Sequence, residues 1–97
     1  MFWHQTDTGN LYRKATDHDT GTGNVIIDGL IWAASRHEAA KIDATLAGKA
    51  AFLAGAKRVP AHDRAVMELI VASDHSPGAA LDILNAWLTA WDKENLK

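Results

Sequence analysis

Residues 25–53, with the sequence VIIDGLIWAASRHEAAKIDATLAGKAAFL, follow a segment of different composition. The first 24 residues are rich in Thr, Asp and Gly, and of the 18 alanines only Ala15 lies before Ala33. From about Val25 the apolar residues recur at steps of three and four, which is the period of an α-helix. These residues are Leu30, Ile31, Ala34, Ala39, Ile42, Leu46, Ala50 and Leu53. The pattern predicts helix from about Val25 onwards.

This helical segment contains one candidate break. Ser35-Arg36-His37-Glu38 matches the S-x-x-E capping box, in which a serine begins a helix. Serine is a poor residue in a helix interior, and Gly29 already weakens the part before it. We therefore expect a break or bend at Ser35. A single continuous helix over residues 25–56 is the alternative.

Before this segment the pattern indicates a short β-hairpin. Phe2 to Thr6 and Leu11 to Thr16 are the predicted strands, and Asp7-Thr8-Gly9-Asn10 supplies residues that favour a turn. Residues 17–24 combine turn formers with almost no apolar side chains, so we predict a loop there. A lone hairpin is marginally stable in water. It must therefore pack on the helices or add to the sheet of a partner.

Two further helices are predicted after the first, which ends near Gly55, Lys57-Arg58 and Pro60. One runs from about Ala61 to Ser73, with Asp63 in or just before its first turn. Asp74-His75 forms a tight connection, and Ser76-Pro77 opens the last helix, which continues to about Glu94.

We therefore predict a single domain over residues 1–97, with a hairpin and loop over 1–24 and a helical core over 25–97. The predicted fold class is mainly α: a three- or four-helix bundle with a short N-terminal β-hairpin, α+β at most.

Composition limits the possible functions. The chain has no cysteine, which excludes disulfides, thiolate catalysis and cysteine-based metal sites, and is typical of a cytoplasmic protein. We expect no signal peptide and no membrane span, because the first residues lack a basic and apolar pattern and no run of 18 apolar residues exists. The net charge of −2 and the isoelectric point near 6.2 disfavour direct binding of nucleic acid.

No motif for catalysis or metal binding is complete. His37-Glu38 begins the H-E-x-x-H zinc motif, but Lys41 stands where the second histidine is required. Asp17, Asp19 and Asp28 fit positions 1, 3 and 12 of a calcium loop, whose other ligands and central glycine are missing. Gly21-Thr22-Gly23 lacks the third glycine of a dinucleotide-binding loop. Five scattered histidines form no catalytic pattern, so we predict neither enzymatic activity nor a cofactor.

The last helix carries more apolar surface than a bundle helix needs. Ala80, Leu84, Trp87, Leu88 and Trp91 form one stripe, which we expect to be core. Neighbouring apolar residues widen the apolar face to roughly twice the usual width. The excess predicts burial under the hairpin, a homodimer or a partner, and tryptophan is enriched in interface hot spots. The predicted partner-binding residues are Trp3, Tyr12, Asp82, Ile83, Ala86, Trp91, Asp92 and Glu94.

Two segments resemble known groups of proteins. They are Leu46-Ala47-Gly48-Lys49-Ala50-Ala51-Phe52-Leu53-Ala54-Gly55, followed by Pro60, and Ala86-Trp87-Leu88-Thr89-Ala90-Trp91. The chain is similar to small helical accessory proteins of phages and integrative elements, which include anti-CRISPR and other anti-defence inhibitors. It also resembles the ribosome modulation factor type, with its A-F-x-x-G and W-x-x-G-W segments. Here Ala90 replaces the glycine of the second segment, and the chain is acidic where a ribosome binder is basic.

The first resemblance implies a stoichiometric protein that blocks a host complex through its surface and has no catalytic residues. We therefore expect a non-enzymatic, protein-binding inhibitor from a phage or mobile element, directed at a CRISPR-Cas or other defence complex. Its partner would be a host protein, with acidic Asp82, Asp92 and Glu94 competing for cationic surfaces. The alternatives are a structural homo-oligomer, with a homodimer formed through the last helix, and a ribosome-associated regulator.

Overall fold

The computed structural model describes residues 3–19, 24–73 and 77–97. Within them the strands are β1 (His4–Gln5), β2 (Leu11–Lys14), β3 (Ile26–Ile27) and β4 (Leu30–Ala33), and the helices are α1 (Arg36–Leu53), α2 (Arg64–Val71) and α3 (Pro77–Asn95). Short 3-10 helices occupy Asp17–Asp19 and Pro60–His62. The strands form one antiparallel sheet in the order β1-β2-β4-β3. The fold is therefore α+β, and the prediction of a mainly α bundle is wrong.

The error lies between residues 25 and 34, where the sequence forms a second hairpin instead of a helix. Asp28 and Gly29 both have positive φ, 54° and 77°, which is the backbone of a type I′ turn. Asp-Gly is a favoured pair for this turn, and Ile27 pairs with Leu30 directly across it. Side chains in β4 alternate, with Ile31 and Ala33 buried and Trp32 exposed, so the true period is two.

The predicted N-terminal hairpin is confirmed, with strands shorter than expected. His4 pairs with Tyr12 and Gln5 with Leu11. The turn is closed by backbone hydrogen bonds from the amide of Thr6 to the carbonyl of Asn10, at 2.8 Å, and from the amide of Gly9 to the carbonyl of Thr6, at 3.0 Å. β2 then pairs along its whole length with β4, so the hairpin joins a sheet within its own chain.

α1 begins and ends where its sequence signals place it. The side chain of Ser35 accepts a hydrogen bond from the amide of Glu38 at 3.2 Å, so the predicted N-cap is confirmed. A strand precedes this cap, however, and not the helix that we expected. The helix ends at Leu53, and Gly55 follows with a φ of 82°, a backbone that favours glycine.

The core has two clusters, and α1 belongs to both. The first lies between the sheet and the N-terminal half of α1 and contains Leu11, Ile31, Ala33, Ala39 and Ile42. The second lies among the three helices and is centred on Ala44, Val66, Ile83 and Trp87. α1 is therefore the layer between the sheet on one side and the other two helices on the other.

α1 and α3 run parallel, because His37 contacts Asp82 near their starts and Phe52 packs on Trp91 near their ends. Their backbones meet at Gly48. A Cβ added to this residue would lie 3.0 Å from both the Cα and the carbonyl carbon of Trp87 and would overlap its carbonyl oxygen. Only glycine fits at this crossing.

The position of Trp87 also depends on Asp63. One carboxylate oxygen of Asp63 accepts the amide of Ala65 at 3.0 Å and caps α2, which confirms the predicted position of this residue at the helix start. The other oxygen accepts the indole Nε1–H of Trp87 at 2.7 Å. The ring of Trp87 is fully buried, so its predicted place in the core is confirmed.

Some sequence predictions fall outside the described residues: Phe2 in the first strand, the loop residues 20–23, the connection Asp74-His75 and the N-cap Ser76. None of the helices in the described part of the chain has both the length and the apolar content that crossing a bilayer requires.

Gly48→Ala tests the close contact between α1 and α3. We expect a loss of about 1–3 kcal/mol in the free energy of unfolding, because the helices must separate to admit a methyl group. Gly78→Ala is the matched control, since nothing lies within 4 Å of a Cβ added there. It should be neutral or slightly stabilising in the same urea denaturation experiment. Equal effects of the two substitutions would contradict this packing.

Candidate interaction surface

Arg13 is the main polar group on the inner face of the sheet. It is only 3% exposed, because β2 directs it beneath the helices together with Leu11. Its Nη1 and Nη2 donate to the two carboxylate oxygens of Asp19, each at 2.9 Å, and its Nε donates to Asp43 at 3.1 Å. The guanidinium also lies 4.9 Å from the centre of the Trp3 ring.

The pKa values of the two carboxylates that face Arg13 shift in opposite directions. Burial would raise the pKa of Asp19, but hydrogen bonds from Arg13 and Thr16 outweigh it, and the pKa falls below its usual value. Burial raises the pKa of Asp43, and hydrogen bonds from Trp3 and Arg13 offset only part of this effect. Asp19 is therefore the stronger anionic partner of Arg13.

The outer face of the sheet carries a row of aromatic rings. His4, Tyr12 and Trp32 occupy neighbouring positions on β1, β2 and β4, and we call these three residues the aromatic ladder. The ring centres of His4 and Tyr12 are 5.3 Å apart, and those of Tyr12 and Trp32 are 5.1 Å apart. Trp32 was absent from the predicted site. The Asp-Gly turn was a signal for β4, the strand that carries Trp32, but the register that places Trp32 opposite Tyr12 comes from the pairing of β2 with β4.

The rings of the ladder are tilted against one another. Their planes are inclined by 32° and 36° to their neighbours. Rings lying flat side by side could not have centres about 5 Å apart, because their hydrogen atoms would overlap. Neighbouring faces are therefore turned partly toward each other, as in offset stacking.

Aliphatic side chains extend this face toward the β3 edge. Ile27 pairs with Leu30 on the same side of the sheet and is 54% exposed. Val25, two residues before Ile27, is 64% exposed, and Trp32 is 37% exposed. The helices pack on the opposite face, so within the described residues no helix covers the outer face.

Two adjoining clefts, with volumes of about 400 and 560 Å³, meet at Asp43, Leu69 and Ala72 between α1 and α2. Both carboxylate oxygens of Asp43 are engaged, one by Arg13 and the other by the Nε1–H of Trp3 at 2.8 Å. These bonds join Asp43 on α1 to Arg13 on β2 and to Trp3, just before β1. Asp43 therefore fixes the position of the sheet on α1.

The predicted partner-binding residues do not form one surface. Tyr12 lies in the ladder, whereas Trp3 lies on the inner side beside Asp43. Ile83, assigned to the partner surface from the sequence, is fully buried and belongs to the core. Ala86 packs beside it, and Trp91 is half-buried against Phe52.

The predicted acidic residues of α3 are each paired within the chain. Asp82 accepts a hydrogen bond from His37 at 3.0 Å. Asp92 forms a two-point ion pair with Arg58, at 2.7 and 2.8 Å, and Glu94 pairs with Lys97 at 2.8 Å. These bonds lower the pKa of both Asp92 and Glu94. Each carboxylate thus has a cationic or histidine partner before any other molecule arrives.

Among the residues that the structure describes, no three His, Asp or Glu side chains lie close enough to hold a metal ion. Comparisons of the chain with models of protein families, with curated proteins and with solved structures give no match.

Asp19→Asn tests whether the Arg13 pair stabilises the fold. Removing one partner of a buried ion pair leaves the other charge uncompensated, so we expect a loss of about 3–5 kcal/mol in the free energy of unfolding. Asp92→Asn is the matched control, because Asp92 also binds an arginine at two points but on the surface. It should have little effect. A small effect at Asp19 would contradict the role given to the pair.

The ion pair of Arg13 and Asp19 should also make the free energy of unfolding depend on pH in acid. The pKa of Asp19 is lower in the folded than in the unfolded chain, so its stabilisation is complete above the unfolded value near 3.8 and is lost as pH falls through the folded value. Asp43, with a raised pKa, has the opposite and partly compensating effect. Urea denaturation from neutral pH to about pH 3 should therefore show a steeper loss of stability in the wild type than in Asp19→Asn. Equal slopes would contradict this assignment.

Proposed function

We propose that this protein acts by binding another protein through the outer face of its sheet. The observation that supports the proposal is the aromatic ladder of His4, Tyr12 and Trp32, bordered by exposed Ile27 and Val25. Exposure of an apolar surface of this kind to water is unfavourable, and such surfaces commonly mark sites where a partner binds. The proposal keeps the predicted non-enzymatic function but moves the binding surface from α3 to the sheet.

The composition of this face favours a protein partner with an apolar surface. Tyrosine and tryptophan are enriched in interface hot spots, because a large rigid ring loses little conformational entropy on binding. Lys14 is the only Lys, Arg, Asp or Glu on the outer face of the described strands. A carboxylate at the rim of the partner surface would complement it.

The same geometry disfavours single-stranded nucleic acid as the partner. Proteins that bind single strands offer flat aromatic faces on which bases stack, together with a basic groove for the phosphates. The rings of the ladder stack on one another at about 5 Å, and Lys14 is the only Lys or Arg on the outer face of the described strands. The net charge of −2 also disfavours binding of nucleic acid.

We further propose that binding blocks a surface of a host complex, as the resemblance to accessory proteins of phages and mobile elements implies. A bound protein of this size can block a surface without any chemistry. The target, a CRISPR-Cas or other defence complex, stays a prediction.

Photo-crosslinking tests the binding face. A photoreactive amino acid is placed at Lys14, beside the intact ladder, or at Arg64 on α2 as a control, since both are exposed cationic positions. After irradiation in cells of the source organism, we expect a discrete adduct with a second protein from position 14 only. The adduct should disappear when Tyr12→Ala and Trp32→Ala are added, because these changes remove the ladder.

Adduct formation at Arg64 equal to that at Lys14 would contradict a specific surface, and so would an adduct that survives loss of the ladder. A crosslink to nucleic acid in place of protein would also overturn the proposal. Circular dichroism of the double variant checks that the fold is retained.

A phage challenge tests the inhibitor function. Cells with an active CRISPR-Cas system and a matching spacer are infected while they express the wild-type chain or the variant with Tyr12→Ala and Trp32→Ala. We expect the wild type to raise plating efficiency at least about tenfold and the variant to lose the effect. The control Arg64→Ala should retain it. If the wild type does not raise plating efficiency, inhibition of that CRISPR-Cas system is rejected. The binding face is then tested by the crosslinking experiment alone.

A further inference from the structure

β3 forms one edge of the sheet, and within the described residues no strand pairs with its outer side. Ile27 and Leu30 flank the two-residue turn and form the hydrogen-bonded pair of the hairpin. In antiparallel strands the hydrogen-bonding groups of successive residues point to opposite sides. The amide and carbonyl of Ile26 therefore point away from β4, toward the open edge.

In the described residues this edge is apolar. Val25, Ile26 and Ile27 are 64%, 39% and 54% exposed. Sheet edges in soluble proteins are commonly protected by lysine, proline or a bulge, since an exposed flat edge pairs with other chains. No lysine or proline occurs in residues 24–27, and β3 pairs with β4 without a bulge.

We propose that a second copy of this chain pairs with the β3 edge, antiparallel and centred on Ile26. The two-fold register places Ile26 opposite Ile26 of the other copy. The amide of each then donates a hydrogen bond to the carbonyl of the other. It also brings Val25 opposite Ile27 of the other copy, on the outer face, where both are apolar. The sequence of this segment is thus complementary to itself.

Charge supports the same register. Asp28 is the only charged residue in the segment 24–28. The two-fold pairing places it opposite the amide residue Asn24 of the other copy, and not opposite a second carboxylate. Like charges directly opposite each other would destabilise a pair of strands.

The pairing has a consequence for the outer face. A two-fold axis perpendicular to the sheet keeps both outer faces on the same side. The two aromatic ladders would then lie on one continuous eight-stranded sheet, with Val25 and Ile27 of both copies between them. This inference does not require the proposed function, because the edge can pair whether or not the ladder binds a partner.

Disulfide trapping tests the register. The chain has no cysteine, so Ile26→Cys introduces a single thiol. In a hydrogen-bonded antiparallel pair the two Cα atoms are about 5.5 Å apart, which lies within the range that a disulfide spans. Mild oxidation of dilute Ile26→Cys should yield a disulfide-linked dimer within minutes. Val71→Cys, at an exposed apolar position on α2, should stay largely monomeric. Equal dimer yields from the two variants would overturn the proposal.

A second measurement does not depend on a new thiol. Light scattering over a concentration series should show that the wild type dimerises, and Ile27→Lys should raise the dissociation constant at least about tenfold. Val71→Lys makes the same change of side chain away from the edge and should leave dimerisation unchanged. A wild type that stays monomeric up to several hundred micromolar would overturn the proposal. So would a Val71→Lys variant that loses dimerisation to the same extent.

Discussion

The buried charge of Arg13 fixes how the sheet meets the helices. A guanidinium without a partner would cost several kcal/mol in this position, so its hydrogen-bonding groups must all be satisfied within the fold. Asp19 supplies two acceptors and Asp43 supplies one, while Nη1 also donates to the carbonyl of Lys14. One side chain therefore fixes the 3-10 helix after β2 and the N-terminal half of α1 at the same time. Misplacing either would leave a charge buried without its partner.

This constraint also determines which face of the sheet remains open. Alternation along β2 places Leu11 and Arg13 inside, so Tyr12 must point outward. The register with β4 then places Trp32 beside Tyr12. The charged network and α1 together fill the inner side. The aromatic residues therefore form a surface because the position of Arg13 leaves them no place in the core.

Local signals in the sequence predicted most of the helical elements. The cap at Ser35, the end of α1 near Gly55 and the place of Asp63 near the start of α2 follow from short-range hydrogen bonds and backbone preferences, so they can be identified without the fold. The predicted bounds of α2 were too wide, because residues 60–62 form a 3-10 helix and α2 itself covers Arg64–Val71. The hairpin at residues 26–33 was missed because Leu30, Ile31 and Ala34 also fit a helical spacing. The Asp-Gly pair at 28–29 was the stronger signal, since it is a favoured pair for a two-residue hairpin turn, and both residues adopt positive φ. The ladder could not be predicted once this hairpin was missed, because its third ring depends on pairing between β2 and β4.

The wide apolar face of α3, which predicted a binding surface, is largely buried within the chain. The buried face of this helix centres on Ile83, Trp87 and Ala90, because Gly48 lets α1 approach closely there. The flank that had suggested a partner is thus covered by the chain itself, and the acidic residues beside it are engaged by His37, Arg58 and Lys97. A group already satisfied within its own chain must lose that contact before it can bind a partner, so it contributes less to affinity. The exposed side chains of Val25 and Ile27 carry no polar group, so contacts with a partner there require no such exchange.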